Sequence, residues 1–148
     1  TDIILANSQC FADWAWLVLH QSPLFTKIVY VELPNGETKV GLRTLGLFET
    51  FFSAIGLSFP ETVTSESSNV YYNIKDLINN SGFAHYKGKR PVVIHPEGTK
   101  TNGLGVLEIN KDLTKMICEA GSLNGNLRIH SIRFDYEYRY HAPMNTTD

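Results

Sequence analysis

Apolar and polar positions fall into short alternating blocks along the chain. Ile3–Ala6 is an apolar, β-branched run followed by the polar Asn7–Cys10, which predicts a buried strand running into a turn. Phe11–His20 (FADWAWLVLH) is apolar on nearly every side and predicts a buried helix, stopped by Gln21, Ser22 and Pro23. Trp14, Trp16, Leu17 and Leu19 are therefore expected in the core, or lining an apolar channel. Lys27–Leu33 (KIVYVEL) predicts a second strand, closed by a turn at Pro34–Gly36. Thr38–Ile55 combines helical spacing with Gly41 and Gly46 and predicts one or two helices. Leu57–Phe59 fits a short strand. Glu61–Ser68 fits a polar loop, or the cap of a helix over Asn69–Asn80 that Ser81 and Gly82 end. Pro91–Ile94 predicts a third strand, Lys111–Ala120 a helix with Gly121 just past its end, and the alternating Leu127–Phe134 a fourth strand. Asp135–Asp148 reads as a fraying tail.

Strands thus alternate with helices, which predicts an α/β fold with a mostly parallel central sheet flanked by helices. In such sheets ligands gather beyond the carboxyl ends of strands, where Asn7-Ser8 and His95-Pro96 fall. A length of 148 residues suits a single domain, 1–148. With 43% hydrophobic and 19% charged residues the chain is globular rather than disordered. Its formal net charge of −2 supplies no global basic field and argues against nucleic acid as the main partner. Cys10 and Cys118 stand far apart without a CxxC pattern and read as reduced, mostly buried thiols. The five histidines lack HExxH-like spacing, so no metal site is expected. No apolar run is long enough for a spanning helix within this stretch. The start at Thr1, directly in a strand-like run, suits a domain excised from a longer protein. Asn79–Ser81 and Asn145–Thr147 match the glycosylation pattern, a short match that chance readily produces.

The most specific block is VVIHPEGTKTNG, residues 92–103. A glycine between Glu97 and Thr99 lets backbone come close to a ligand. Thr99 and Lys100 donate well to phosphate oxygens. A buried Glu97 needs a donor. From spacing alone, an ordinary strand-to-loop turn accounts for the block equally well. Lys87, Lys89 and Arg90 form a basic turn that suits either solvent or anionic lipid head groups.

The block resembles the PEGT(R/K)S motif of the glycerolipid, or lysophospholipid, acyltransferase superfamily. That family also carries an NHxSxxD block at a strand-to-helix junction, matched here by Asn7-Ser8-Gln9-Cys10-Phe11-Ala12-Asp13. Asn7 and Asp13 agree with it. Ser8 stands where the family has its catalytic histidine, and Cys10 where it has a small hydroxyl residue. Lys100 replaces an arginine, keeping the charge without the bidentate fork. Gly56–Glu61 (GLSFPE) lacks the arginine that follows the family's second block. The likeness spans roughly residues 3–134.

The resemblance implies transfer of an acyl group from acyl-CoA, as co-substrate, to a lysophospholipid such as lysophosphatidic acid. It implies no bound cofactor, a membrane-surface partner, and a place at the endoplasmic reticulum or a lipid droplet. Glu97, Gly98 and Thr99 would hold the acceptor's polar head, Lys100 its phosphate, and Asp13 would brace the site. Serine has no lone pair of suitable pKa for a general base, so Ser8 leaves several readings open. The domain is a lipid-binding or interaction module of the same fold without catalysis; or it is an enzyme with another base, for which His95 is the candidate; or the histidine was replaced to trap a complex. His95 equally suits a packing role in place of the family's aromatic residue. A Ser8–His95 nucleophile pair ranks lower, since direct transfer of the family's kind needs no acyl-enzyme, and a hydrolase built on Ser8 ranks last, since no GxSxG elbow is present.

Overall fold

The structure, a computed structural model, describes residues 2–33, 36–57, 62–64, 69–80, 90–97, 109, 111–123 and 127–136. The described residues hold, in order, β1 (Asp2–Ala6), α1 (Phe11–Gln21), β2 (Leu24–Glu32), β3 (Thr38–Thr44), α2 (Leu47–Ala54), β4 (Thr62–Thr64), β5 (Val70–Tyr71), α3 (Ile74–Asn80), β6 (Val92–Ile94), α4 (Lys111–Leu123) and β7 (Arg128–Ile132). The strands form one sheet in the order β5-β3-β2-β6-β1-β7, with β4 also paired to β2. β1 lies parallel to β6 and β7, and β2 parallel to β4 and β6. Among the described residues antiparallel pairing is confined to β2–β3 and β3–β5. The fold is therefore mixed α/β with a mostly parallel sheet.

Period-two alternation divides the core between two faces. Ile3, Ile28, Leu42, Val92 and Ile94 point to one side and meet Ile74 and Leu77 of α3 and Leu113, Met116 and Ala120 of α4. Ile4, Ala6, Phe25 and Val93 point to the other, where Leu17 of α1 is buried and Trp14 and Val18 pack beside it. Each such aliphatic side chain contributes about 1.5–3 kcal/mol when fully buried. Covering both faces is what a parallel sheet requires.

Several elements differ from the expectation. Thr38–Thr44 is a strand, not a helix, and pairs with β2 from Thr26↔Thr44 to Glu32↔Thr38. The turn signal before it closes a hairpin, and tertiary pairing overrides the apparent helical spacing. Gly41 serves that strand. A Cβ there would stand 2.6 Å from Val70 Cγ1 and 3.5 Å from the Tyr71 carbonyl, so glycine admits β5. Only α2 is the helix expected in this region. Val70–Tyr71 is strand, and the helix expected from Asn69 begins at Ile74, where the Asn73 side chain accepts the Lys75 N–H at 2.9 Å. Thr62–Thr64 pairs with β2 rather than forming loop or cap. Gly121 lies inside α4, and Cys118 of that helix is exposed rather than buried, while Cys10 is half-buried. Leu57 lies outside any strand. Residues 58–59, Ser81-Gly82, Lys87, Lys89, Pro34 and the stretch 137–148 lie outside the described residues, as do Ser81 and Asn145–Thr147 of the glycosylation matches.

Helix α1 is not buried all round. Leu17 is fully enclosed, but Phe11, Trp16 and Leu19 are exposed. The sheet covers one face of the helix, and near its start Phe51 of α2 meets Phe11 and Trp14 edge-on with ring centroids 5.8 and 5.6 Å apart. Trp16 instead stacks on His20, 4.6 Å between centroids.

Candidate functional site

The polar groups at the carboxyl ends of β1 and β6 converge because those strands are hydrogen-bonded neighbours in parallel. Their register is Ile3↔Val92, Ile4↔Val93, Leu5↔Ile94. Carried one residue further it sets Ala6 beside His95, and His95 Nδ1–H donates to the Ala6 carbonyl at 2.9 Å. Asn7-Ser8 and Pro96-Glu97 then leave the sheet at the same end. Ser8 and Glu97 are half-buried. One Glu97 carboxylate oxygen, Oε2, is buried without a hydrogen-bond partner, an arrangement that calls for a donor. Gly98, Thr99 and Lys100 lie outside the described residues.

The bond to Ala6 defines the His95 tautomer. A carbonyl oxygen only accepts, so Nδ1 carries the proton and neutral His95 keeps its lone pair on Nε2. The ring stacks on Phe25, with centroids 6.5 Å apart and planes 19° from parallel. Burial pulls its pKa below the usual histidine value, while the bond to Ala6 and the negative charge of Asp13 oppose that shift. His95 is thereby a neutral imidazole near neutral pH, with Nε2 as its acceptor nitrogen.

Asp13 sits in the first turn of α1 and is 1% exposed. Its Oδ2 accepts the backbone N–H groups of Gln9 at 2.7 Å and Cys10 at 3.0 Å, so the carboxylate caps the helix N-terminus. Its Oδ1 accepts the Cys10 thiol at 3.8 Å and the Tyr136 hydroxyl. Among the described residues it has no ion-pair partner.

Residues 133–136, after β7, form a strap across this end of the sheet. Asn7 holds it in both directions: Asn7 Nδ2 donates to the Phe134 carbonyl at 2.9 Å, and the Phe134 N–H donates to Asn7 Oδ1 at 2.7 Å. Gln9 Nε2 adds a bond to the same carbonyl at 2.8 Å. The start of the expected fraying tail is thus tied to the site, and Tyr136 is a site residue that the sequence reading missed. The available signal was the aromatic alternation DYEY just after a strand.

Among the described residues no three His, Cys, Asp or Glu side chains gather as a metal site would require, and no helix is long and apolar enough to cross a membrane. Set against protein-family models, curated proteins and solved structures, the chain matches none of them.

Proposed function

We propose that this chain is an acyltransferase-like domain of the glycerolipid type that moves an acyl group from acyl-CoA to a lysophospholipid hydroxyl, with His95 as general base. The observation that carries this reading is the His95 imidazole, bonded through Nδ1 to Ala6 at the strand ends where Ser8 and Glu97 also emerge. In the proposed step the acceptor hydroxyl attacks the thioester carbonyl and its proton passes to His95 Nε2. The new C–O bond forms, the C–S bond breaks, and the imidazolium returns the proton to the departing thiolate, giving an ester and free CoA. Glu97, with its unpartnered oxygen, accepts a hydroxyl of the acceptor's head. Gly98 and Thr99 hold the head group, and Lys100 meets its phosphate. General-base catalysis of this kind contributes about 10²–10⁴-fold in rate.

A membrane surface as partner is supported by the apolar side chains around α2. Leu47, Phe48, Phe52 and Leu57 are exposed, Phe48 to 78%. The one carboxylate of that helix, Glu49, is neutralised by Arg43 at 2.5 Å, so the apolar face carries no unpaired negative charge toward anionic lipid.

A second reading, a lipid-binding module of the same fold without catalysis, is favoured by the state of Asp13. Its oxygens are engaged by backbone amides, Cys10 and Tyr136, so in this chain it is a helix cap rather than a histidine's partner. Steady-state turnover of labelled acyl-CoA on a lysolipid panel separates the two. Activity that His95→Phe removes and Ser8→His scarcely raises supports His95 as the base. Activity that appears only in Ser8→His, or in none of the three proteins, supports the binding module.

A further inference from the structure

The ladder between β1 and β7 ends at Ala6↔Ile132, yet the chain beyond it keeps alternating, with Phe134 and Tyr136 half-buried and Arg133 and Asp135 exposed. Side chains take over where the backbone ladder stops. The Asn7 carboxamide exchanges two bonds with the Phe134 backbone, as a residue of a neighbouring strand would. Gln9 adds a third bond to Phe134, and the Tyr136 hydroxyl donates to Asp13 Oδ1. We propose that residues 133–136 are a gate over this end of the sheet, clasped by Asn7, Gln9 and Asp13, whose opening frees Asp13 Oδ1 for a hydroxyl of an incoming lipid head group. The identity of that ligand rests on the reading above; the opening does not.

The way the strap is fastened makes it a moving part. Its clasp bonds run to side chains and are only part-buried. Arg133 and Asp135 face solvent, paired with each other at 3.4 Å. The main apolar anchor is Phe134, half-buried, which packs on the cluster around Leu17 and meets the exposed Trp16 edge-on with 5.7 Å between centroids. Segments held in this way open at lower cost than the core. Beneath the strap lies Asp13, 1% exposed. Two backbone amides hold its Oδ2, so a new donor can replace the phenol at Oδ1 without disturbing the helix cap. A ligand hydroxyl restores the lost bond, which a purely apolar ligand cannot do. Ser8 stands between the clasp residues Asn7 and Gln9, so the same bonds hold the strand end that carries it. The Cys10 thiol donates to Asp13 Oδ1 at 3.8 Å, the oxygen that also accepts the phenol, so Cys10 reports on the gate. Cys118 is exposed on α4, which packs on the other face of the sheet, and serves as the control.

The test is iodoacetamide labelling of the full 148-residue chain, read thiol by thiol by peptide mass spectrometry at urea concentrations below the unfolding transition. In the parent, Cys10 is expected to react more slowly than Cys118, with a urea dependence far shallower than that of global unfolding, as local opening requires. Asn7→Leu removes two clasp bonds, and Tyr136→Phe removes the bond to Asp13. At about 2- to 13-fold per bond, both should speed Cys10 labelling and leave Cys118 unchanged. Tyr136→Phe keeps the ring and still reads out the proposal if Asn7→Leu fails to fold. Both variants should also bind lysophosphatidic acid, supplied below its micelle concentration, more tightly than the parent, because the open state is more populated. A strap that only braced the fold would leave that binding unchanged or weaken it. Cys10 labelling that matches Cys118 in the parent, that carries the full urea dependence of unfolding, or that neither variant speeds, overturns the gate. Binding of lysophosphatidic acid that is unchanged or weaker in both variants overturns it too. Absence of binding in all three proteins overturns the lipid reading, and the labelling then decides on the gate alone.

Discussion

Replacing Asp13 by alanine removes one acceptor from several donors at once, and the structure says which of them suffer. The Gln9 N–H is in buried surroundings, Gln9 being 4% exposed, and bonds Asp13 at 2.7 Å. Without the carboxylate that bond is lost, and a buried donor left unsatisfied costs about 1–3 kcal/mol. The Cys10 N–H and the Tyr136 hydroxyl belong to half-buried residues that water can reach, so each loses only the net value of its bond, roughly 0.5–1.5 kcal/mol. The lost first-turn charge at the helix N-terminus adds about 0.3–1 kcal/mol. Allowing for incomplete additivity, Asp13→Ala should cost about 3–5 kcal/mol, a large part of the 5–15 kcal/mol typical of a domain. Asp13→Asn keeps one acceptor oxygen for the amides and should cost less, about 1–2 kcal/mol. Urea unfolding followed by tryptophan fluorescence is the assay, because Trp14 and Trp16 lie on the same helix. With a slope near 2 kcal/mol/M, the alanine variant should unfold at about 2 M less urea than the parent. An alanine variant within about 1 kcal/mol of the parent would show that the Gln9 amide finds another partner, and an asparagine variant as costly as alanine would show that the retained oxygen does not serve the amides.

Two further outcomes test other parts of the fold. Gly41→Val should destabilise the protein by about 1–3 kcal/mol through overpacking against β5, and Gly41→Val combined with Val70→Ala should recover part of that loss; a neutral single variant would mean that β3 and β5 do not meet as described. Because His95 titrates below its ordinary value of 6.5 when folded, the unfolded chain binds its proton first as pH falls, so stability should decline below about pH 6.5 and level off beneath the folded pKa. His95→Phe should flatten that limb in pH-dependent thermal unfolding, and an unchanged limb would remove His95 as its cause.

The parts of this fold that the sequence displays most clearly are those in which local pattern and tertiary role agree. Ile3–Ala6 is apolar because both faces of β1 are covered, and Asn7 stops the run because the chain there leaves the sheet. The meeting of Asn7-Ser8 with His95–Glu97 was legible for the same reason, since both follow buried strands that must share a direction. Thr38–Thr44 was not legible as strand, because its glycine looks like a break in a helix until Val70 is seen to occupy the space a Cβ would take. Leu19 was expected inside and is 79% exposed, since apolar character alone does not say which face of a helix finds a cover. Tyr136 lies 123 residues from Asp13, and no local rule connects them. The orphan oxygen of Glu97 is likewise a property of packing, not of the motif.

The place of β1 in the sheet has a consequence for how the molecule comes into being. Both of its neighbours, β6 and β7, are made long after it: Ala6 waits for His95, 89 residues later, and Asn7 for Phe134, 127 residues later. At a synthesis rate of about 5–20 residues per second, the first of those gaps lasts roughly 4–18 s. Throughout that interval Ile3, Ile4 and Leu5 have no ladder to join, although β2 and β3 can already close their hairpin on the ribosome. A nascent chain halted before residue 92 should therefore expose β1 to chaperones or to pairing with another copy, and the site at its carboxyl end is completed only when residues 134–136 have emerged.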